Sequence, residues 1–323
     1  MKPKKEGVLL VNIGTPKEPT SSAVKLYLKR FLSDRRVIKK SPIIWQPILH
    51  GIILNIRPKK SAALYQNIWT SHGSPLKYYM DKQELALQQL LPQTIVRTAM
   101  SYSEPSIPCV LDELLEENIT HLTVIPMYPQ YSGTTVGSVF DEVMRYFYRS
   151  DKIIHLNFVR SFYERPSWYS IYSKKILDFL KQHTIQHIVF SYHGIPVEYV
   201  NQGDPYPNEC IQSTEYIMQD VLTEYPTMTY ENTFQSHFGN DEWLSPSTEA
   251  YLKSLPEQEI KNILVVAPGF VMDCLETIEE LGEENRNYFI EAGGNNYYYL
   301  SALNDSIELT YLLKEIIQKN EQS

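Results

Sequence analysis

The sequence lacks three features that would assign it quickly. Its 323 residues hold three cysteines, Cys109, Cys210 and Cys274, with no C-x-x-C pair. An odd, scattered set argues against a disulfide framework or a structural zinc site. Basic charge is not in excess: Lys+Arg 30 against Asp+Glu 38 gives a formal net charge of −8, so attraction to nucleic acid is not expected. No apolar run reaches the roughly 20 residues that a spanning helix needs. The basic start Met1-Lys2-Pro3-Lys4-Lys5 leads into an apolar run at 8–13 that is too short for a signal-peptide core. These absences predict a reduced, cytoplasmic protein with no obligate protein partner.

What is present is alternation. Strand-like apolar runs at 8–13, 95–100, 122–126, 153–159, 188–192, 229–235, 263–267 and 297–300 are separated by helix-like segments, the pattern of parallel sheets covered by helices. The runs divide into two sets of four, and the chain is long enough for two domains of about 100–200 residues each. The sets also resemble each other in chemistry. L-V-N-I-G-T-P from Leu10 parallels F-S-Y-H-G-I-P from Phe190, so that Ile13 takes the position of His193. An internal duplication predicts a cleft between two similar domains, suited to a large and mainly apolar ligand.

The halves differ after their first strands. Between Pro16 and Ile95 the first half carries an insertion of roughly 80 residues, where an α/β connection usually takes about 2–6. Within it, I-I-W-Q-P-I-L-H-G-I-I-L from Ile43 is strongly apolar and is flanked by Arg35, Arg36, Lys39 and Lys40, then Arg57, Lys59 and Lys60. A packed helical hairpin with solvated flanks accounts for this pattern. So does a surface resting on anionic lipid, which predicts peripheral contact at the inner face of a membrane.

Three stretches carry chemistry. The run I-V-F-S-Y-H-G-I-P delivers His193 at the carboxyl end of a buried strand, where open α/β sheets bind ligands. M-Y-P-Q-Y-S-G-T-T from Met127 supplies hydroxyls and a helix start, which serve an anion or only a turn. In P-G-F-V-M-D-C-L-E-T-I-E-E-L-G-E-E from Pro268, Asp273, Glu276, Glu280 and then Glu283 or Glu284 recur at steps of three or four. That spacing sets carboxylates along one helical face, either as a solvated surface or as a path for protons or cations. An imidazole and carboxylates at neighbouring strand ends suit a divalent metal or proton transfer near neutral pH.

Together with G-D-P-Y-P-N-E-C from Gly203 and F-Q-S-H-F-G-N-D-E-W from Phe234, these blocks resemble the ferrochelatase family, in order and over nearly the whole chain. The resemblance implies a lyase of haem biosynthesis that inserts Fe(II) into protoporphyrin IX. Iron is then a substrate, with no permanently bound cofactor. The implied fold is two Rossmann-like domains of chelatase type, each a four-stranded parallel sheet flanked by helices. They would cover 1–160, with a porphyrin-lip insertion at about 17–92, and 161–303, followed by a helix at 304–323 packing on the first domain. A coproporphyrin ferrochelatase, a cobaltochelatase and a non-catalytic tetrapyrrole carrier are the alternatives.

By position, the resemblance gives His193 and Glu276 the catalytic and metal-binding roles, and Asp273 and Glu280 a metal or proton path. It gives Ile13, Arg36, Tyr128, Ser132, Phe238, Trp243 and Phe270 porphyrin contacts. Ser101, Ser103 and His237 depart from the family pattern, which puts local propionate or packing contacts in question. No cysteine follows Cys274, which leaves no ligands for the C-terminal iron–sulfur cluster of some relatives.

Overall fold

The computed structural model describes residues 5–239 and 241–320; the basic residues 1–4 of the sequence argument lie outside them. The first half contains β1 (Glu6–Asn12), α1 (Ser21–Leu32), α2 (Pro42–Ile48), α3 (Leu54–Ile68), α4 (Pro75–Leu90), β2 (Thr94–Met100), α5 (Ile107–Glu116), β3 (His121–Pro126), α6 (Val136–Tyr148) and β4 (His155–Phe158). The second contains α7 (Pro166–Leu180), β5 (His187–His193), α8 (Val197–Asn201), α9 (Tyr206–Glu224), β6 (Thr229–Gln235), α10 (Thr248–Ser254), β7 (Asn262–Val266), α11 (Asn285–Glu291) and β8 (Asn296–Leu300), and α12 (Ile307–Asn320) closes the chain.

The strands form two parallel sheets with one permutation, β2-β1-β3-β4 and β6-β5-β7-β8. A shared permutation is what a duplicated unit requires. In each sheet the first strand is flanked on both sides and covered by helices on both faces. β1 and β5 are therefore almost wholly buried, and their unbroken apolar runs follow from that burial. The chain separates into two compact units, Met1–Arg160 with Asn304–Ser323, and Ser161–Leu303. The chain's end belongs to the first unit because α12 packs on α4. The wholly buried Gln83 Nε2 donates to the Asn304 and Ser306 carbonyls at 2.9 and 3.0 Å, and Thr310 Oγ1 donates to Gln83 Oε1 at 3.0 Å.

Two expectations are corrected. The fourth strand is shorter than 153–159: pairing with β3 begins at His121↔His155, and Ile153 is 95% exposed. Apolar character alone does not extend a strand where no partner backbone runs alongside. The connection after β1 is likewise not one insertion throughout. α4 packs on β2 as the crossover helix of the sheet, leaving α1 to α3 as the added part.

In that added part Pro47 interrupts the end of α2. The missing N–H of proline disturbs the helical ladder, and a π-helical turn, Leu49–Ile53, carries the chain into α3. Trp45 anchors the turn by donating from Nε1 to the Leu32 carbonyl at 2.7 Å. Ile43, Ile44, Ile52 and Ile56 project outward, Ile43 with 86% exposure. Among the described residues no helix is long and apolar enough to cross a membrane.

At the opposite end of β5 from His193, His187 is 4% exposed, with Nδ1 2.7 Å from Thr229 Oγ1 and Nε2 2.9 Å from the Tyr251 hydroxyl. Burial lowers its pKa from the ordinary 6.5 to about 4. The neutral ring is satisfied in the fold, whereas the unfolded chain takes up a proton below about 6.5. The contribution of His187 to stability should therefore be constant above that pH and fall as pH drops towards 4, by an amount on the order of 3 kcal/mol. Urea unfolding at pH 7 and pH 4.5 checks this. His187→Gln should lose less stability across the interval than the parental chain.

Candidate active site

In the second unit the carboxyl ends of β5 and β6 meet a helix that is not α-helical. His193, partly exposed, is the last residue of β5 and pairs in register with Gln235, the last of β6. Its Nδ1 lies 2.7 Å from the Gly194 carbonyl oxygen. A carbonyl can only accept, so Nδ1 carries the proton and donates. The lone pair of the neutral ring is left on Nε2, the position from which an imidazole takes a proton or binds a metal.

Gly194 is required by close approach. A Cβ there would stand 3.0 Å from the Gln235 carbonyl oxygen and 3.1 Å from the Trp243 ring. Trp243 stacks on His237 with ring centroids 5.3 Å apart, and its segment bridges back to Pro196. Its indole nitrogen is buried without a hydrogen-bond partner. Phe238 and Phe270 are half-buried, Phe270 against the apolar core around Val265 and Leu281.

Glu276–Glu284 forms a π-helix, a wider coil with i→i+5 bonds that is rare and concentrated at functional sites. Three side chains hold its carbonyl groups. Gln235 Nε2 donates to the Glu276 oxygen at 2.9 Å, Asn285 Nδ2 to the Glu280 oxygen at 2.8 Å, and the Tyr297 hydroxyl to the Leu281 oxygen at 2.7 Å.

The acidic row consequently does not form one face. Asp273 precedes the helix and is buried. Its Oδ1 accepts from Thr277 Oγ1 at 2.8 Å, the Tyr299 hydroxyl at 2.9 Å and the Ala302 N–H at 3.4 Å. Glu283 and Glu284 are exposed. Of the row, Glu280 lies close enough to both Glu276 and His193 to feel their charges.

The Glu280 carboxylate accepts from the Ser236 N–H at 2.8 Å, from the Ser236 hydroxyl, and from Gln235 Nε2 at 3.2 Å. Ser236 makes these bonds from a left-handed backbone, φ 65°. For a residue other than glycine that conformation is strained, and such strain gathers at functional sites. Sequence reasoning missed Gln235 and Ser236 as members of the site. The available signal was a polar pair ending a strand beside the one that delivers His193.

The first unit has its own strand-end cluster. Ile13 follows β1 and is half-buried. Ser103 Oγ accepts from the Thr15 N–H at 3.1 Å, and a Cβ on Gly14, at φ +99°, would stand 2.4 Å from that oxygen. Ser101 Oγ is buried without a partner. Ser132 Oγ lies 2.9 Å from Thr134 Oγ1, and Tyr128 packs on the sheet's core. Arg36 is engaged by Asp141 through two bonds, Nε to Oδ2 at 2.6 Å and Nη2 to Oδ1 at 2.7 Å. Among the described residues no group of three or more His, Cys, Asp or Glu side chains is arranged to hold a metal ion.

Paired four-stranded units of this kind define the chelatase fold. SirB from Bacillus subtilis, solved with Fe3+, superposes with a TM-score of 0.57 over 98% of this chain and 95% of that one. At 12% identity the likeness speaks for the fold alone. The sequence is more specific. The family model described as Ferrochelatase matches residues 5–321. The chain is 58% identical over 314 residues to the coproporphyrin III ferrochelatase of Enterococcus faecalis, covering 97% of this chain and 99% of the relative. It is 42% identical over 319 residues to the ferrochelatase of Yersinia enterocolitica, covering 98% of each. The chain belongs to the ferrochelatase family, enzymes of the lyase class that act on a porphyrin and a metal ion.

Burial raises the Glu280 pKa above its ordinary 4.5 and Glu276 adds to the rise, while Ser236, His193 and Gln235 pull it down. A group raised in the fold contributes stability at low pH that is lost as pH climbs through its folded value. Carboxyl-carbon NMR should show Glu280 titrating above the ordinary carboxylate range. Titration at or below pH 4 would contradict the geometry.

Proposed function

We propose that this chain inserts Fe(II) into coproporphyrin III, in place of the protoporphyrin IX implied by the sequence resemblance. The observation that carries this reading is the 58% identity, nearly end to end, with a protein named for coproporphyrin III. Coproporphyrin bears propionates where protoporphyrin bears vinyl groups, and the hydroxyls of Ser103, Ser132 and Thr134 beyond the strand ends are candidate donors for carboxylates. Ile13, Arg36, Tyr128, Ser132, Phe238, Trp243 and Phe270 are proposed as macrocycle contacts.

The chemistry follows from charge balance. A free-base porphyrin must release its two pyrrole N–H protons as a divalent metal enters, so the site needs proton acceptors beside the incoming cation. His193, with Nδ1 held on the Gly194 carbonyl, turns Nε2 to the proton or the cation, and Glu276 offers a carboxylate that meets the cation or takes the second proton. Glu280, whose carboxyl holds a proton more readily than usual, suits passing protons onward, and the buried Asp273 is assigned to the same path. Distorting the macrocycle to aim nitrogen lone pairs at the metal costs about 1–5 kcal/mol, drawn from contacts remote from the reacting nitrogens.

Anaerobic insertion of Fe(II) into coproporphyrin III and protoporphyrin IX, followed side by side by absorbance, tests the assignment. Coproporphyrin should be favoured in kcat/KM by about tenfold or more, a discrimination of about 1.4 kcal/mol. Equal or reversed preference would return the reading to protoporphyrin. Binding without conversion of either porphyrin would make the chain a carrier.

A further inference from the structure

We infer that Gln235 is a positioning residue that sets His193 against the stretch of the π-helix that carries Glu276 and Glu280. The inference deepens the proposed function and rests on it. Gln235 is 3% exposed and lies directly opposite His193 in the parallel pairing of β5 with β6. Its main-chain oxygen accepts from the Gly194 N–H at 2.8 Å, and its Oε1 accepts from Ser191 Oγ at 2.8 Å. One residue therefore grips β5 on both sides of His193.

The other end of the same amide faces the π-helix. Nε2 donates to the Glu276 carbonyl oxygen at 2.9 Å and to the Glu280 carboxylate at 3.2 Å. Ser191 Oγ lies 2.8 Å from Thr248 Oγ1, which is 2.9 Å from Thr233 Oγ1. The hydroxyls can donate or accept, but the helix side offers only a carbonyl and a carboxylate, so the NH2 must point at the helix. Glutamine is the side chain that fits, with one acceptor end and one donor end at this reach. Glutamate at 235 would keep the contact to Ser191 but set an oxygen against two acceptors, one of them a carboxylate. Methionine would fill the space and keep neither polar contact.

Such a residue touches neither porphyrin nor metal, so its loss should change turnover more than binding. Q235M and Q235E should lower kcat by about tenfold or more and raise the KM for the metal, while the coproporphyrin Kd, read by fluorescence quenching, stays within about twofold of the parental value. Thermal melts run alongside report whether each variant folds. A variant that folds, binds porphyrin and turns over at the parental rate would overturn the inference. So would parallel loss of porphyrin affinity and thermal stability, the mark of a merely structural role. Failure of the parental chain to insert metal into either porphyrin would instead overturn the proposed function, and this inference with it.

Discussion

The pairing of each first strand with a neighbour on both sides is the constraint on which the rest depends. β1 and β5 are hydrogen-bonded left and right and covered above and below, so their central residues are mostly apolar and a polar one such as Ser191 must be hydrogen-bonded. At the carboxyl end, beyond the covering helices, a titratable group can face outward, and there the two copies diverge. β5 ends in His193 and β1 is followed by Ile13. One duplicated frame thus yields one chemical strand end and one apolar one.

The acids near His193 are held by a different device. A π-helix brings carbonyl groups into reach of side chains outside the helix, and Gln235, Asn285 and Tyr297 take them. The wide coil turns Glu283 and Glu284 to solvent and keeps Glu276 and Glu280 beside the end of β6. Ser236 is bent into a left-handed conformation to meet the Glu280 carboxylate with two donors. Strained backbone, an uncommon helix and a partly buried acid at one place depart from local rules in the manner expected of a functional site.

Much of the fold was legible because it depends on short-range pattern. Apolar runs bounded by turn residues marked all eight strands, and the likeness of L-V-N-I-G-T-P to F-S-Y-H-G-I-P pointed to two similar units, which the sheets' shared strand order matches. The overextension at Ile153 came from counting apolar residues where pairing had not yet begun. The acidic row was misread because α-helical steps were assumed for residues that adopt a π-helix, and because Asp273 turns into the core to cap Thr277. The Gln235 network and the Arg36–Asp141 pair join residues 41 or more apart in sequence, and no periodicity records such contacts.

The central claim is that His193, with Nε2 free, takes a proton from the porphyrin as iron enters. Its most direct test is a single-turnover absorbance measurement under anaerobic conditions, with Fe(II) added to the coproporphyrin III complex of His193→Ala. The account predicts that the variant binds the free-base porphyrin and leaves its spectrum unconverted on adding iron. Conversion to the iron porphyrin at the parental rate would contradict it.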